Sequence, residues 1–306
     1  MKNVMFAMLI IGLISCKSNQ DEGDLAFAKA ESSPPQIEAA AINLSKEFKD
    51  YWYSGTAEIS SYELSQARYG EMRNGKAVMV FVTEPFDAKD QVKADQNAPD
   101  NIPVMKLNAT RDFTTGIYPY SMMSSTFVPL DQRNNAVKVA VSIQEWCGHT
   151  YMQFNNAGDE YDVTLHSYFQ SEGNRDFTVP NVMLENQIPV QLRIDPQAMP
   201  TGELMIIPSA EYLRLKHIET KAYSATASIR EMEDGYVYSI RYADLNRIIA
   251  FKTEKAFPYK ILSWMERYND GGAPMVSTGT HIKTIKSAYW NKNSNSDESL
   301  RTELGL

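Results

Sequence analysis

Beyond Gly55 the chain is built from short apolar segments with a period of two, each ended by a turn signal, and this pattern constrains the fold more than any other feature. In AVKVAVSIQEWCGHTY the odd positions Val137, Val139, Val141 and Ile143 form one apolar face. Strand side chains alternate between the two faces of a sheet, so such a segment covers a core on one side only. AVMVFVTE, MKLNATRDF, TTGIYPYSMMSSTF, TYMQFN and DEYDVTLHSYF carry the same texture, with turns expected at Asn74-Gly75, Thr115-Gly116, Asn134-Asn135 and Asn155 to Gly158. Asn-Gly between apolar runs is the strongest short hairpin signal. After SEGNRDFTVP (171–180) a second meander is expected, through YLRLKH, YVYSIRY, RIIAFKT, YKILSWMERY and a last strand to Tyr289, with turns at Asp234-Gly235 and Gly271-Gly272. A short helix is expected through VMLENQ before Pro189. The fold class is therefore mainly β (α+β): two antiparallel meander or open-barrel-like domains with an N-terminal amphipathic helix.

That helix is expected to start at Ser33, with Pro34 at its first position and Gln36 at capping-box spacing. Ile37, Ala41, Leu44, Phe48 and Tyr51 then make one stripe, and Gly55 supplies the stop. Before it, Lys2 and the apolar run Val4 to Ile14 have the form of a signal peptide, too short to span a bilayer. The run ends in Leu13-Ile14-Ser15-Cys16, which resembles the lipobox of bacterial lipoproteins, so Cys16 is the expected lipidation site for palmitate-like acyl chains. Lys17, where Asp would favour retention in the inner membrane, points to the outer membrane. The expected divisions are a signal peptide (1–15), lipidated Cys and tether (16–35), helix plus β domain (36–175), β-meander domain (176–290) and a polar, frayed tail (291–306).

Composition narrows the partners. A formal charge of −8 without any Lys/Arg block excludes nucleic acid as the expected partner. The chain has 2 cysteines, so with Cys16 lipidated Cys147 has no partner for a disulfide. EWCGHTY (145–151) gathers Glu145, Cys147 and His149 and is the one cluster that resembles a reactive site. On an unbroken strand these three would share the apolar face; a bulge at Gly148 would instead turn Trp146 inward. Strand neighbours two apart are separated by about 6.5–7 Å, against about 3.2 Å for a nucleophile and its base. A small, packed thiol is the expectation for Cys147, with a Cys147/His149 dyad or zinc site as the alternative. His166 is expected to face solvent and His217 to lie on an apolar face. No CxxC, HExxH, GxSxG, Walker A, GxGxxG or EF-hand pattern occurs, and neither a metal nor a cofactor is implied. Tyr118, Tyr120, Met122 and Met123, with Trp146, are the candidates for lining an apolar ligand cleft.

TGIYPYSMMSS (115–125), QEWCGH (144–149), MPTGELMIIPS (199–209) and YLRLKH (212–217) together resemble a family of predicted envelope lipoproteins of Gram-negative bacteria. Members are often labelled "septum formation inhibitor Maf"; the basic Ser-Pro-Arg-Arg-like loop of Maf-type nucleotide pyrophosphatases is missing here, and a cytosolic enzyme does not fit a lipobox. The resemblance carries no catalytic residue. At fold level the second half resembles the open-barrel lipoprotein carriers of the envelope. The expected function is a lipid-anchored, non-catalytic outer-membrane protein, at the periplasmic face or cell surface, that binds an apolar or amphiphilic ligand or an envelope partner. The alternatives are a hydrolase or thiol/metal enzyme centred on Cys147 and His149, or a structural component of an outer-membrane assembly.

Overall fold

Period-two segments do build the chain, and they build one sheet. The computed structural model describes residues 44–96, 98–131 and 135–306. The signal segment, Cys16, the tether and the expected helix start at Ser33 lie outside the described residues. The first helix, α1 (Lys46–Trp52), begins where the Ser45 hydroxyl accepts the Phe48 N–H at 3.0 Å. Leu44 thus precedes the helix, where a continuous stripe from Ile37 was expected to pass through it, and α1 buries Phe48 and Trp52. The first meander is β1 (Ala57–Arg68), β2 (Glu71–Asp87), the short β3 (Val92–Lys93), β4 (Asn101–Thr115), β5 (Tyr118–Pro129), β6 (Lys138–Glu145), β7 (Gly148–Asn156), β8 (Glu160–Ser167) and β9 (Arg175–Pro180). A connecting stretch follows with β10 (Met183–Leu184), α2 (Ile188–Ile194), β11 (Gly202–Ile207) and α3 (Ala210–Lys216). The second meander is β12 (Tyr223–Met232), β13 (Gly235–Tyr242), β14 (Arg247–Glu254), β15 (Ile261–Asp270) and β16 (Ala273–Ser287), and α4 (Ser299–Glu303) ends the chain.

The two meanders are not two domains. β1 pairs with β2 on one side and antiparallel with β16 on the other, so a single 16-stranded sheet runs β10 to β16, then β1, β2 and β4 to β9. The described residues belong to one compact unit, and the expected boundary at 175/176 falls inside the edge strand β9. The sheet is antiparallel except for the β10–β11 pair, and it is not closed. Its edges, β9 and β10, are consecutive in sequence: Pro180 and Met183 are at most about 11 Å apart by chain length. The sheet therefore curls until its edges approach at that corner.

The concave side is filled by the connecting stretch. In α2, Ile188, Val190, Leu192 and Arg193 are fully buried, as is Leu213 of α3. Two sequence expectations need correction here. VMLENQ does hold a short 3-10 helix, Glu185–Gln187, but the helix does not stop before Pro189: α2 runs on from Ile188 with Pro189 in its first turn, where the N–H that a proline lacks would be unpaired anyway. YLRLKH is not a strand: Ser209 caps a helix on the Tyr212 N–H, and the Leu-Arg-Leu-Lys alternation misleads because Arg214 is buried along with the leucines.

A third correction concerns Asn74-Gly75, which lies inside β2 opposite Phe113 of β4 and not at a hairpin tip. The turn is Tyr69-Gly70, with φ of 57° and 76°, the left-handed pair that a two-residue hairpin requires. Gly75 is small for another reason: a Cβ there would stand 2.1 Å from the Asp112 carbonyl oxygen of the neighbouring strand. The C-terminal segment is likewise ordered where fraying was expected. Leu304 packs with Ala57, Ile59 and Val82 on the outer face of the sheet, and its carbonyl accepts the Ser61 hydroxyl.

Two buried ion pairs fasten the filling to the sheet. Arg193 of α2 holds Glu58 of β1 in a two-pronged contact, Nη1 to Oε1 at 2.5 Å and Nη2 to Oε2 at 2.7 Å, while its Nε–H donates to the Pro258 carbonyl. The guanidinium also lies 4.9 Å from the Phe81 ring centroid and 5.1 Å from that of Trp52. Arg247 of β14 forks in the same way onto Glu185, just before α2, and its Nε–H donates to Glu266 at 2.8 Å. Burial alone would raise the Glu58 carboxyl, but the Arg193 charge and the hydrogen bonds from Arg193 and Tyr51 outweigh it and hold the carboxyl below its ordinary value.

Removing one partner of such a pair leaves an uncompensated buried charge, at a cost of about 3–5 kcal/mol. Glu58→Gln is expected to lower unfolding stability by that order at pH 7, measured by urea denaturation. A depressed carboxylate contributes stability above its unfolded pKa of about 4.3 and loses it as pH falls through the folded value. The gap between wild type and Glu58→Gln should therefore narrow at acid pH. Equal urea midpoints at pH 7 would show that the pair does not hold the helix.

Candidate functional site

Hairpin register decides where the chemistry-bearing residues stand. Glu145 pairs with Gly148, so the strand stops at Glu145 and reverses through the two-residue turn Trp146-Cys147. Thr115 pairs with Tyr118, so the neighbouring hairpin reverses at Gly116-Ile117, and Ser121 opposite Gln144 binds the two hairpins together. The turn Tyr69-Gly70 and the loop after Ser167 lie at the same end of the sheet, because every second turn of an antiparallel meander does. One rim thus gathers both segments singled out in the sequence.

Of the expected site residues, Cys147 is neither buried nor activated. It is exposed at the turn. The Glu145 carboxylate accepts the Cys147 N–H at 2.8 Å, and its hydrogen bond and negative charge push the thiol above its ordinary value. Glu145 is therefore a turn brace, and it works against a thiolate. His149, exposed, stands opposite Gln144, and among the described residues no group of three or more His, Cys, Asp or Glu converges as a metal site. His166 is exposed, as its strand position implies.

The proposed ligand-lining residues divide by strand parity. Tyr120 and Met122 point inward and are buried, and Tyr120 stacks on Phe113 with centroids 4.9 Å apart. Met123 faces outward. The rest join an aromatic ridge along the rim. Tyr69 and Tyr120 share a hydroxyl–hydroxyl hydrogen bond of 2.7 Å, Tyr118 lies 6.0 Å from Tyr120, and Trp146 lies 6.4 Å from Tyr118. Tyr168 closes the ridge over Gly148, where a Cβ would stand 2.6 Å from its ring carbons. The exposed members are Tyr69 (53%), Ile117 (82%), Trp146 (69%) and Tyr168 (61%).

Beneath the ridge is a charged cluster that joins residues far apart in sequence. Arg68 donates to the hydroxyls of Tyr69 and Tyr120 and to the Leu215 carbonyl. Glu172, from the loop after β8, meets Arg214 at 2.8 Å, His217 Nδ1 at 2.9 Å and the Ser167 hydroxyl at 2.6 Å. Burial opposes ionisation of Glu172, and these three partners together reverse that and hold its carboxyl low. Serine, histidine and glutamate here do not form a nucleophilic relay. The carboxylate stands between Ser167 and His217, whereas a relay needs the histidine between the other two. His217 itself ends α3 in the left-handed region, with φ of 53°, and its ring lies edge-on to Phe169 at 4.7 Å; it is not the packed core histidine that alternation implied.

Two small cavities lie near these groups. One of about 20 Å³ lies among Arg68, Tyr120, Tyr168, Arg214 and His217, and one of about 40 Å³ among Arg111, Glu185, Glu211 and Trp264. Volumes of this order hold a water or two, whereas small-molecule pockets run to about 300–1,000 Å³.

A thiol at an exposed turn, kept protonated by its neighbour, should react completely but slowly. Iodoacetamide is expected to alkylate Cys147 in the native protein, with a rate that climbs only at alkaline pH, and Glu145→Gln should speed it at neutral pH. Rapid alkylation at pH 7 in the wild type, or none before unfolding, would contradict this placement.

In comparisons with protein-family models, with curated proteins and with solved structures, none matches the chain.

Proposed function

We propose that this chain is a lipid-anchored protein of the cell envelope, held at the outer membrane through Cys16, that acts by presenting a rigid rim to another surface and does no chemistry of its own. One observation carries the reading: Tyr69, Ile117, Trp146 and Tyr168 stand exposed on neighbouring turns while hydrogen bonds and ring contacts hold the aromatic members in place. Exposed large apolar side chains that cluster mark an interaction site. Their ordering is already complete in the free protein, which lowers the entropic cost of docking.

Of the two occupants expected from the sequence, the filled interior favours a surface over an enclosed apolar ligand. Tyr120 and Met122, candidates for lining a cleft, are spent on the core. The alternative of a thiol or metal enzyme at Cys147 and His149 gains no support from a thiol that Glu145 keeps protonated. The lipobox at Leu13-Ile14-Ser15-Cys16 supports the anchor.

Native mass spectrometry of the full chain purified from membranes tests the reading. The expected mass exceeds the mature polypeptide by covalent acyl groups only, and Cys16→Ser should lose them and leave the membrane fraction. A polypeptide mass without acyl groups would refute the anchor. A further lipid-sized adduct released on denaturation would refute the surface-only mode of binding.

A further inference from the structure

The structure assigns the aromatic rim a partner of defined chemistry: we propose that it seats in the headgroup layer of a zwitterionic lipid bilayer, so that the body stands rim-down on the membrane. This rests on the proposed lipid anchor and adds which end of the body faces the lipid.

The distribution of the apolar groups points to lipid and away from protein. The four tips belong to the hairpins β1–β2, β4–β5 and β6–β7 and to the loop after β8, each two strands from the next around the curl. Strands lie about 4.8 Å apart, so the tips fall roughly 10 Å from one another along an edge of about 30 Å. A stable protein interface needs a contiguous patch of about 800 Å² per partner with a dry core. A ridge one side chain wide along that edge covers about a third of such a patch. A bilayer interface takes a narrow ridge end-on, and Trp and Tyr are the residues it favours. Ile117, 82% exposed on a two-residue turn, is the most exposed of the set.

Charge narrows the lipid class. Arg68 is engaged by tyrosine hydroxyls, Arg73 by Glu71, Arg214 by Glu172 and Lys216 by Asp270 at 2.9 Å, while the exposed Arg175 lies against the Phe177 ring. Asp112 adds exposed negative charge at that end, and the chain carries −8 overall. Arg175 against that background gives anionic headgroups little hold, so docking is by insertion, nearly insensitive to salt.

Tether length permits the pose. The described chain enters beside the opposite end of the sheet, where α1 leads into Ala57 at the base of β1. β1 is about 40 Å long, whereas the expected tether ahead of Ser33, residues 17–32, can span up to about 53 Å. An anchor at Cys16 can thus reach past the body to the rim side. Trp290, 46% exposed just after β16, marks the far end and serves as an internal control.

The test reads which tryptophan meets lipid. The full chain without its signal peptide, carrying Cys147→Ser so that only Cys16 reacts, is coupled to a maleimide lipid and placed on phosphatidylcholine or dibromo-phosphatidylcholine vesicles. Bromine is expected to quench the parent and Trp290→Phe alike and to leave Trp146→Phe unquenched. Quenching lost in Trp290→Phe, or absent from the parent, overturns the proposal. So does a Trp146 that stays bright on brominated lipid but crosslinks to an envelope protein, which would give the rim to a protein partner. Chemical coupling makes the readout independent of acylation by the cell, which the mass measurement reads separately. A second measurement needs no anchor: Ile117→Ser should weaken partitioning of the Cys16→Ser chain onto phosphatidylcholine about tenfold, equally at low and high salt. Unchanged partitioning, or partitioning abolished by salt, rejects insertion at the tip.

Discussion

A guanidinium inside a β-sheet is what the rest of this structure is arranged around. Arg193 has no solvent to fall back on, so every one of its options is a protein atom: the Glu58 carboxylate, the Pro258 carbonyl and the faces of Trp52 and Phe81. Those groups come from β1, the β14–β15 connection, α1 and β2, and they satisfy it only when all four are in place. A hydrophobic filling alone would tolerate sliding of α2 along the concave face, since apolar contact has little direction. Two forked ion pairs, one at each end of α2, remove that freedom. Orientation is their contribution; net stability from a buried pair is small compared with an apolar substitute of the same shape.

With α2 fixed, the curl of the sheet is fixed, and with it the spacing of the turns at the rim. The aromatic ridge is the distal end of the same construction. Arg68 lies at the top of β1, the strand whose base carries Glu58, and it gathers the hydroxyls of Tyr69 and Tyr120 while bonding the end of α3. One strand thus links the interior anchor to the exposed rings.

Much of the strand layout was legible in the sequence, because period-two alternation is a local signal: the hairpins at Thr115-Gly116, Asp234-Gly235 and Gly271-Gly272 fall within a residue of expectation. What failed did so where a local signal had a non-local cause. Gly75 reads as a turn residue but is glycine because β4 passes too close for a side chain. YLRLKH alternates like a strand because helix α3 is enclosed on every side. The two-domain division could not be corrected from sequence, since the pairing of Ile59 with Ile285 leaves no mark near either residue. For the site, the meeting of TGIYPYSMMSS and QEWCGH was foreseeable from their hairpins. Tyr69 and Tyr168 were missed as rim members, and a Tyr-Gly pair before a strand was the available clue for the first. The union of Glu172 with Arg214 and His217 carried no signal at all.

The β1–β16 pairing also sets a timetable. Hydrogen bonds such as Ser60 to Thr284 join residues 224 positions apart, so the central seam of the sheet forms only after nearly the whole chain is free to search for it. Until then β1 is an unpaired edge with apolar residues on both faces, the kind of strand that pairs with the wrong partner. Synthesis from the N-terminus delivers β1 first and β16 last. The first half of this protein must therefore wait, exposed, for the second, and a truncation that removes β16 would leave that edge open for the lifetime of the molecule.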